Sequence, residues 1–86
     1  MSYQPVKIYL TTFCPFCLLA TRFFKKRKIP FERIHVDNYP GGFEALKQAT
    51  GYRMVPQIFI GDKMVGGYDD VVRLEKSGKL EELLKA

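Results

Sequence analysis

Cysteine and histidine are scarce in this sequence of 86 residues, which contains Cys14, Cys17 and His35 and no others of either type. A structural zinc site takes four such ligands, often from two cysteine pairs. The chain does not supply four, so we predict that it forms no metal site by itself. His35 lies in the alternating pattern of a predicted strand, and we interpret it as an ordinary strand side chain and not as a catalytic base.

Long apolar runs, internal repeats and low-complexity tracts are also missing. Without an apolar run of about 18 residues, no membrane-spanning helix is expected. The N-terminus lacks the basic start and apolar stretch of a signal peptide. These absences predict one domain over 1–86 in the cytoplasm, where thiols stay reduced. A cysteine pair in that compartment is typical of catalysis or metal binding, not of a structural disulfide.

The net charge is +5, and the densest basic stretch runs from 22 to 28. Such a stretch suggests either a nucleic-acid-binding patch or the solvated face of an amphipathic helix. Phe23 and Phe24 would point inward from such a helix, so we favour the helix face and expect no nucleic-acid partner. A weak attraction of anionic small molecules toward the site is a third use.

Apolar periodicity and turn residues predict the element order β-α-β-α-β-β-α, with a further helical turn or two at the end of the chain. The predicted strands cover 6–10, 31–36, 57–60 and 64–66, and the predicted helices cover 15–28, 43–49, a stretch after an N-cap at Asp69, and 80–84. A β-α-β unit makes its strands parallel through a right-handed crossover, whereas the last hairpin is antiparallel. The predicted fold class is therefore α/β, with one mixed four-stranded sheet, helices on both faces, and the first and third strands central.

Cys14 and Cys17 stand where the first strand gives way to the first helix. Pro15 suits the first helical position, which places Cys14 at the N-cap. We expect the N–H groups of Phe16 and Cys17 to stabilise a thiolate on Cys14, because a helix N-terminus presents unpaired donors and a positive dipole end. Cys17 lies one turn deeper, at a spacing that permits a disulfide. We predict that Cys14 attacks a disulfide and Cys17 resolves the mixed disulfide.

Two other interpretations of this pair stay open. Both thiols could be buried and inert, or they could help to hold an iron–sulfur cluster with ligands from a second chain or a small thiol. The neighbouring side chains of Phe13, Phe16, Leu18 and Leu19 belong either to the core or to an apolar surface around Cys14. If they are exposed, they favour docking of protein partners.

Val55-Pro56 opens the third predicted strand, where a proline fits only if no ladder N–H is needed. The bond is either an ordinary trans peptide or a cis peptide. A cis bond would turn the Val55 backbone toward Cys14, where it could pair with an extended, peptide-like substrate.

Two glycines, Gly66 and Gly67, precede the last long helix. They permit a tight turn that brings the Tyr68 and Asp69 N–H groups to a helix start, where they could bind a carboxylate. The carboxylate of Asp69 or of Asp70 could hold an ammonium group beside it. A ligand with both groups is the α-amino acid end of a molecule.

Together these three motifs resemble those of glutaredoxins, over nearly the whole chain and with the right spacing. The motifs are Cys14-Pro15-Phe16-Cys17, Val55-Pro56-Gln57-Ile58-Phe59-Ile60 and Gly66-Gly67-Tyr68-Asp69-Asp70. The resemblance implies a thioredoxin fold and a monomer that reduces protein disulfides and glutathione mixed disulfides. It implies glutathione as reductant, no tightly bound cofactor, and disulfide-containing or glutathionylated proteins as partners.

The resemblance also implies the roles of individual residues. Cys14 and Cys17 would be catalytic, Val55 would pair with the cysteinyl unit of glutathione, and Tyr68 and Asp69 would hold its γ-glutamyl end. Gln48 and Arg53 fall where the family often contacts the glycine carboxylate. The full set of implied glutathione contacts is Thr11, Phe16, Gln48, Arg53, Val55, Pro56, Gly67, Tyr68 and Asp69.

The sequence departs from the family pattern at three positions. Phe16 replaces a tyrosine, Thr11 stands where a lysine is frequent, and Met54 replaces a threonine. The losses are one hydroxyl and one cation near the ligand. We therefore expect the helix terminus to provide most of the thiolate stabilisation, with help from Arg53, and glutathione affinity to be lower than is common in the family.

Two alternative functions use the same motifs. One is a thioredoxin-like electron carrier that a flavoprotein reductase supplies directly. The other is an iron–sulfur carrier that uses Cys14 and glutathione across a dimer. Cys17 and Pro15 favour disulfide chemistry over the second alternative.

Overall fold

The computed structural model describes residues 3–85 and contains a four-stranded sheet with helices packed against it. The strands are β1 (Val6–Leu10), β2 (Glu32–His35), β3 (Gln57–Ile60) and β4 (Lys63–Gly66), and the helices are α1 (Pro15–Lys26), α2 (Gly42–Thr50), α3 (Tyr68–Lys76) and α4 (Lys79–Lys85). The predicted element order is confirmed.

The sheet has the strand order β2-β1-β3-β4. β1 runs parallel to β2 and antiparallel to β3, and β3 runs antiparallel to β4. The prediction that the first and third strands are central is therefore confirmed. β1 therefore has a neighbouring strand on each side. The chain leaves its carboxyl end at Leu10, and Cys14 follows four residues later.

Helix α1 begins and ends with recognisable capping structures. Cys14 is its N-cap and Pro15 its first residue, as predicted. The helix ends at Lys26 and not at Lys28, because Lys28 takes a left-handed conformation with φ of 59°. The Ile29 N–H then donates to the Phe24 carbonyl at 3.0 Å, and the Lys28 N–H donates to the Lys25 carbonyl at 3.0 Å. This pair of bonds is a Schellman motif, which apolar periodicity does not reveal.

The main core lies between one face of the sheet and helices α1, α3 and α4. Alternation along β1 sends Val6 and Ile8 into this core and leaves Lys7 exposed. Phe24 of α1 is fully buried there, as expected for the inner face of an amphipathic helix. Burial of a side chain of this kind contributes about 1.5–3 kcal/mol to the free energy of unfolding. The other members of this cluster are Ala20, Phe23, Ile29, Ile58, Ile60, Val71, Leu80 and Leu84.

The opposite face of the sheet carries an aromatic cluster. The Tyr9 ring makes edge contacts with the rings of Tyr39 and Phe59, at centroid distances of 5.8 and 5.6 Å. The last turn of α2 lies beside these rings, and Leu46 of α2 is fully buried. Helices therefore cover both faces of the mixed sheet, as predicted.

Two further predicted boundaries are wrong by a few residues. The second strand spans Glu32–His35, and a 3₁₀ turn at Val36–Asn38 follows it. Helix α3 begins at Tyr68 with Gly67 as its N-cap, so Asp69 is not the cap but lies in the first turn. The 3₁₀ turn ends β2 before its apolar pattern ends, whereas the glycine turn lets α3 begin earlier than a side-chain cap at Asp69 would. Among residues 3–85, no helix is both long enough and apolar enough to cross a lipid bilayer.

Candidate active site

Cys14 lies at the N-terminal tip of α1, half-buried, with an extended backbone (φ −144°, ψ 104°). The backbone N–H of Cys17 donates a hydrogen bond to its sulfur at 3.2 Å. Of the two amides expected to reach this sulfur, Cys17 provides the one that bonds to it in the described structure. A helix N-terminus thus directs both a donor and its positive dipole end at the Cys14 Sγ, an arrangement that favours the thiolate.

Cys17 has a different environment one helical turn away. Its side chain is only 4% exposed. Burial raises the pKa of the Cys17 thiol to about 12, with a smaller contribution from its hydrogen bond to Cys14, and the backbone amide of Thr11 opposes the shift. Cys17 is therefore a protonated thiol at neutral pH. Both cysteines are free thiols in the structure.

The Val55 carbonyl approaches Cys14 from the other side of the site. The Val55-Pro56 peptide is cis, and the Val55 oxygen lies 3.9 Å from the Cys14 sulfur. Pro56 itself is buried. The expected position of the Val55 backbone beside the nucleophile is therefore observed.

The loop that carries Val55 is fixed by hydrogen bonds that the motifs do not reveal. The buried Gln57 side chain donates from Nε2 to the Tyr52 carbonyl at 2.8 Å. The Thr50 hydroxyl accepts the Tyr52 N–H at 3.1 Å and donates to the Leu46 carbonyl at 3.0 Å. These bonds tie the loop to β3 at one end and to α2 at the other, which limits movement of the Val55 oxygen relative to Cys14.

The start of α3 forms the third side of the site. The Gly67 N–H donates to the Asp70 carboxylate at 2.9 Å, and Arg73 lies 3.4 Å from the same carboxylate. Asp70 is therefore committed to capping the helix, whereas the Asp69 side chain is exposed. The N–H groups of Tyr68 and Asp69 lie in the first helical turn, where no intrahelical acceptor exists for them. Of the two aspartates considered for an ammonium group, Asp69 is the available one.

Tyr52 connects the Val55 loop to α3, and the sequence motifs did not identify it as a site residue. Its hydroxyl lies so close to Gly67 that a Cβ there would stand 2.5 Å from the oxygen, so a side chain at position 67 would displace the Tyr52 ring. Burial raises the pKa of Tyr52, and the negative charges of Asp70 and Asp69 raise it further. The only indication of this role in the sequence is an aromatic residue next to Gly51, in the loop before Val55-Pro56.

Aromatic contacts and exposed apolar side chains lie around Cys14. The Tyr68 ring lies 6.5 Å from the ring of Phe16 and 6.5 Å from the ring of Phe23, measured between centroids. The four apolar side chains for which the sequence left core and surface open are all exposed, and so is Met54. Their exposed fractions are 95% for Phe13, 52% for Phe16, 65% for Leu18, 39% for Leu19 and 64% for Met54.

The remaining predicted residues are connected to this site less directly. Thr11 reaches it through its backbone amide, which meets the Cys17 sulfur. Gln48 and Arg53 are exposed, and no hydrogen bond or ion pair within residues 3–85 joins them to the thiols, so their roles stay predictions. His35 contacts Thr12 at 3.2 Å and does not meet Cys14. The described residues contain no group of three or more side chains suited to holding a metal ion.

Comparison with known proteins assigns the family. The glutaredoxin family model matches residues 6–65. A glutaredoxin of Pseudomonas aeruginosa is 42% identical over 82 residues, which cover 95% of this chain and 98% of that protein. A glutaredoxin of rice, glutaredoxin-C6, is 40% identical over 83 residues, which cover 93% of this chain and 74% of that protein.

Solved glutaredoxins share the fold. The solution structure of a Brucella melitensis glutaredoxin superposes with a TM-score of 0.83 at 36% identity and covers 99% of this chain and 92% of that one. The crystal structure of a buckwheat glutaredoxin–glutathione complex has a TM-score of 0.83 at 33% identity, over 94% of this chain and 76% of that one. The predicted thioredoxin fold is thereby confirmed. The chain belongs to the glutaredoxin family of thiol–disulfide oxidoreductases.

Proposed function

We propose that this protein reduces glutathione mixed disulfides and protein disulfides, with glutathione as the electron donor. The observation that carries the proposal is the contrast between two sulfurs on α1. The Cys14 sulfur accepts a helix amide at 3.2 Å and is accessible, whereas Cys17 is buried and protonated. The glutathione bound in the buckwheat relative supports the choice of reductant.

The reaction begins with attack of the Cys14 thiolate on the glutathione sulfur of a mixed disulfide. A Cys14–glutathione disulfide forms, the original disulfide bond breaks, and the substrate sulfur leaves as a thiolate that takes a proton from solvent. A second glutathione thiolate then attacks the bound glutathione sulfur. This step releases oxidised glutathione and restores the Cys14 thiolate, so Cys17 is not needed.

Protein disulfides require both cysteines. Cys14 attacks one substrate sulfur, and the resulting mixed disulfide is resolved when Cys17 loses its proton and attacks the Cys14 sulfur. Once Cys14 is in a disulfide, its charge no longer opposes ionisation of Cys17, although burial still does. The products are the reduced substrate and a Cys14–Cys17 disulfide. Two molecules of glutathione then reduce that disulfide and become oxidised glutathione.

The site offers matching groups for each part of glutathione. The Val55 backbone lies beside Cys14 and suits the cysteinyl unit, together with the adjoining Pro56. The first-turn N–H groups of Tyr68 and Asp69 suit the γ-glutamyl carboxylate, and the exposed Asp69 carboxylate suits its ammonium group. For the glycine end we propose the more distant residues Gln48 and Arg53.

We also propose the partners and the compartment. Glutathionylated and disulfide-containing proteins would dock on the exposed apolar side chains around Cys14, since exposed apolar clusters mark interaction sites. The protein would act as a monomer in the cytoplasm, where glutathione keeps thiols reduced.

The test is a coupled assay with glutathione, glutathione reductase and a glutathionylated substrate, applied to wild type, Cys14→Ser and Cys17→Ser. We expect Cys14→Ser to abolish turnover. Cys17→Ser should retain this reaction and lose reduction of a protein disulfide. Equal loss in both variants on the glutathionylated substrate would contradict the proposal, as would activity only when thioredoxin reductase replaces glutathione.

A further inference from the structure

A groove of about 400 Å³ runs between α1 and α3, beside the site but outside the thiol pair. Its floor is apolar and consists of Leu19, Phe23, Tyr68 and Val72. We call this feature the α1–α3 groove. None of its residues takes part in the disulfide exchange described above except Tyr68, which lies where the two surfaces meet.

The rim of the α1–α3 groove is positively charged. Arg22 and Lys26 line it from α1, and Lys76 lines it from α3; all three are exposed. Across residues 3–85, the ion pairs of the structure include none of these three side chains. The fourth cation of the lining, Arg27, is paired with Glu75. The rim therefore presents uncompensated positive charge above an apolar floor.

One end of the α1–α3 groove lies near the Cys14 end of helix α1. Tyr68 at its near end contacts the Phe16 ring at 6.5 Å, and Phe16 is two residues from Cys14 on the same helix turn. Leu19, on the next turn of α1, is 39% exposed. A chain segment held in the groove would therefore lie next to the sulfur that attacks it.

A peptide suits this groove better than a nucleic acid. Single-stranded nucleic acids need free aromatic faces on which bases can stack. The Phe23 face is covered by the Arg27 guanidinium at 3.8 Å, and the Tyr68 ring meets Phe23 edge-on at 89°. What the groove leaves accessible is an apolar floor for aliphatic side chains and a cationic rim for carboxylates.

We propose that the α1–α3 groove binds an acidic segment with interspersed apolar residues, close in sequence to the reacting cysteine of a protein substrate. The proposal rests on the proposed function and names its preferred class of protein substrate. Apolar side chains of the segment occupy the floor, and its aspartates or glutamates meet Arg22, Lys26 and Lys76. The charge complementarity chiefly raises the association rate, so its effect falls with salt.

Two glutathionylated peptides test this proposal, identical except that one carries three glutamates and two leucines around its cysteine and the other carries glutamines for the glutamates. Wild type is compared with the double variant Arg22→Glu/Lys26→Glu. The matched control is Lys7→Glu/Lys63→Glu, which changes net charge equally at exposed positions on β1 and β4. A small glutathione mixed disulfide is a third substrate.

At low salt we expect wild type to show a kcat/KM about tenfold higher for the glutamate peptide than for the glutamine peptide. This preference should disappear in the groove variant, persist in the control variant, and shrink at 1 M salt, where the Debye length is about 3 Å. Turnover of the small mixed disulfide should be equal in the groove variant and the control variant, which shows that the proposed function holds independently.

Three results would overturn the proposal while leaving the proposed function intact. One is equal kcat/KM for both peptides in wild type, and another is an equal loss of preference in the control variant, which would indicate net charge alone. The third is binding of a labelled single-stranded oligonucleotide that is tighter than that of the glutamate peptide and is abolished in the groove variant. Failure of wild type on the small substrate would instead refute the proposed function.

Discussion

Two cysteines three residues apart on α1 occupy opposite chemical environments. Cys14 caps the helix, is half-buried and accepts the Cys17 amide at 3.2 Å. Cys17 is 4% exposed, and its pKa is raised to about 12, first of all by burial. One turn of helix thus separates an accessible sulfur that accepts a helix amide from a buried sulfur that stays neutral. The proposed division of labour between a nucleophilic and a resolving thiol rests on this difference.

Replacing each cysteine in turn is the strongest way to challenge the contrast. Cys14→Ser should lower kcat/KM for a glutathionylated substrate by at least roughly 10⁴-fold, because removal of a nucleophile eliminates the covalent pathway. Cys17→Ser should stay within about threefold of wild type, because only Cys14 exchanges with glutathione in this reaction. Initial rates in the glutathione-coupled assay measure both. If Cys17→Ser lost as much activity as Cys14→Ser, the two sulfurs would not differ as described.

Alkylation measures the neutral state of Cys17 directly. In the Cys14→Ser variant, the remaining thiol should react with iodoacetamide at pH 7 more slowly than the same thiol in the guanidinium-unfolded variant, by up to roughly a thousandfold. A rise in pKa from 9.0 to about 12 reduces the thiolate fraction by that factor, and the part of the rise that Cys14 causes is absent from the variant. Burial, the largest cause, persists in the variant. Mass spectrometry of quenched samples gives both rates. Equal rates in folded and unfolded protein would contradict the assignment.

The same raised pKa predicts how stability depends on pH. Because its folded-state pKa exceeds that of an unfolded cysteine, Cys17 contributes stability that is fully present below about pH 9 and is lost progressively toward pH 12. The free energy of unfolding should fall by up to about 1.4 kcal/mol per pH unit in this window from this group alone.

The matched control for that experiment is Cys17→Ala, which removes the titrating group. Tyr52, whose pKa is also raised, titrates in both proteins, so its contribution cancels in the difference. Urea denaturation between pH 8 and pH 11 supplies the comparison. The prediction fails if wild type and variant lose stability in parallel.

The smallest expected effect comes from adding a charge near the nucleophile. Thr11→Lys should lower the KM for glutathione by about 1.4- to fivefold, because an exposed ion pair contributes about 0.2–1 kcal/mol. Thr11→Gln has a comparable length without the charge and should leave the KM unchanged. High salt should remove the gain. A gain of equal size in Thr11→Gln would show that length, not charge, is responsible.

Local sequence was sufficient for much of the fold. The order of the elements followed from apolar periodicity, and the central positions of β1 and β3 followed from the rules for strand connections. The helix start at Cys14-Pro15 was also predictable, because capping depends on a few adjacent residues. The ends of α1 and β2 were not, because the left-handed turn at Lys28 and the 3₁₀ turn at Val36–Asn38 leave no apolar pattern.

The candidate site divides in the same way. Cys14, Cys17, Val55 and the glycine turn before Tyr68 were recognisable from motifs, and the structure brings them together. Tyr52 was not recognisable, since its importance lies in a close approach to Gly67, fifteen positions along the chain. Such an approach depends on how the loop and α3 pack, which no local pattern records.

The sequence by itself determined the family, the pair of thiols and the helix terminus that holds the first of them. Residues three positions apart on a helix lie on the same face, so the spacing alone places the two thiols as neighbours. Only the tertiary structure decided that Cys17 is buried, that the Val55 carbonyl faces Cys14, and that the apolar side chains around the nucleophile are exposed. It also decided that the basic face of α1 borders a groove. The physical reason is that helix geometry acts between neighbours in the chain, whereas burial and charge environment are set by segments that meet only when the chain has folded.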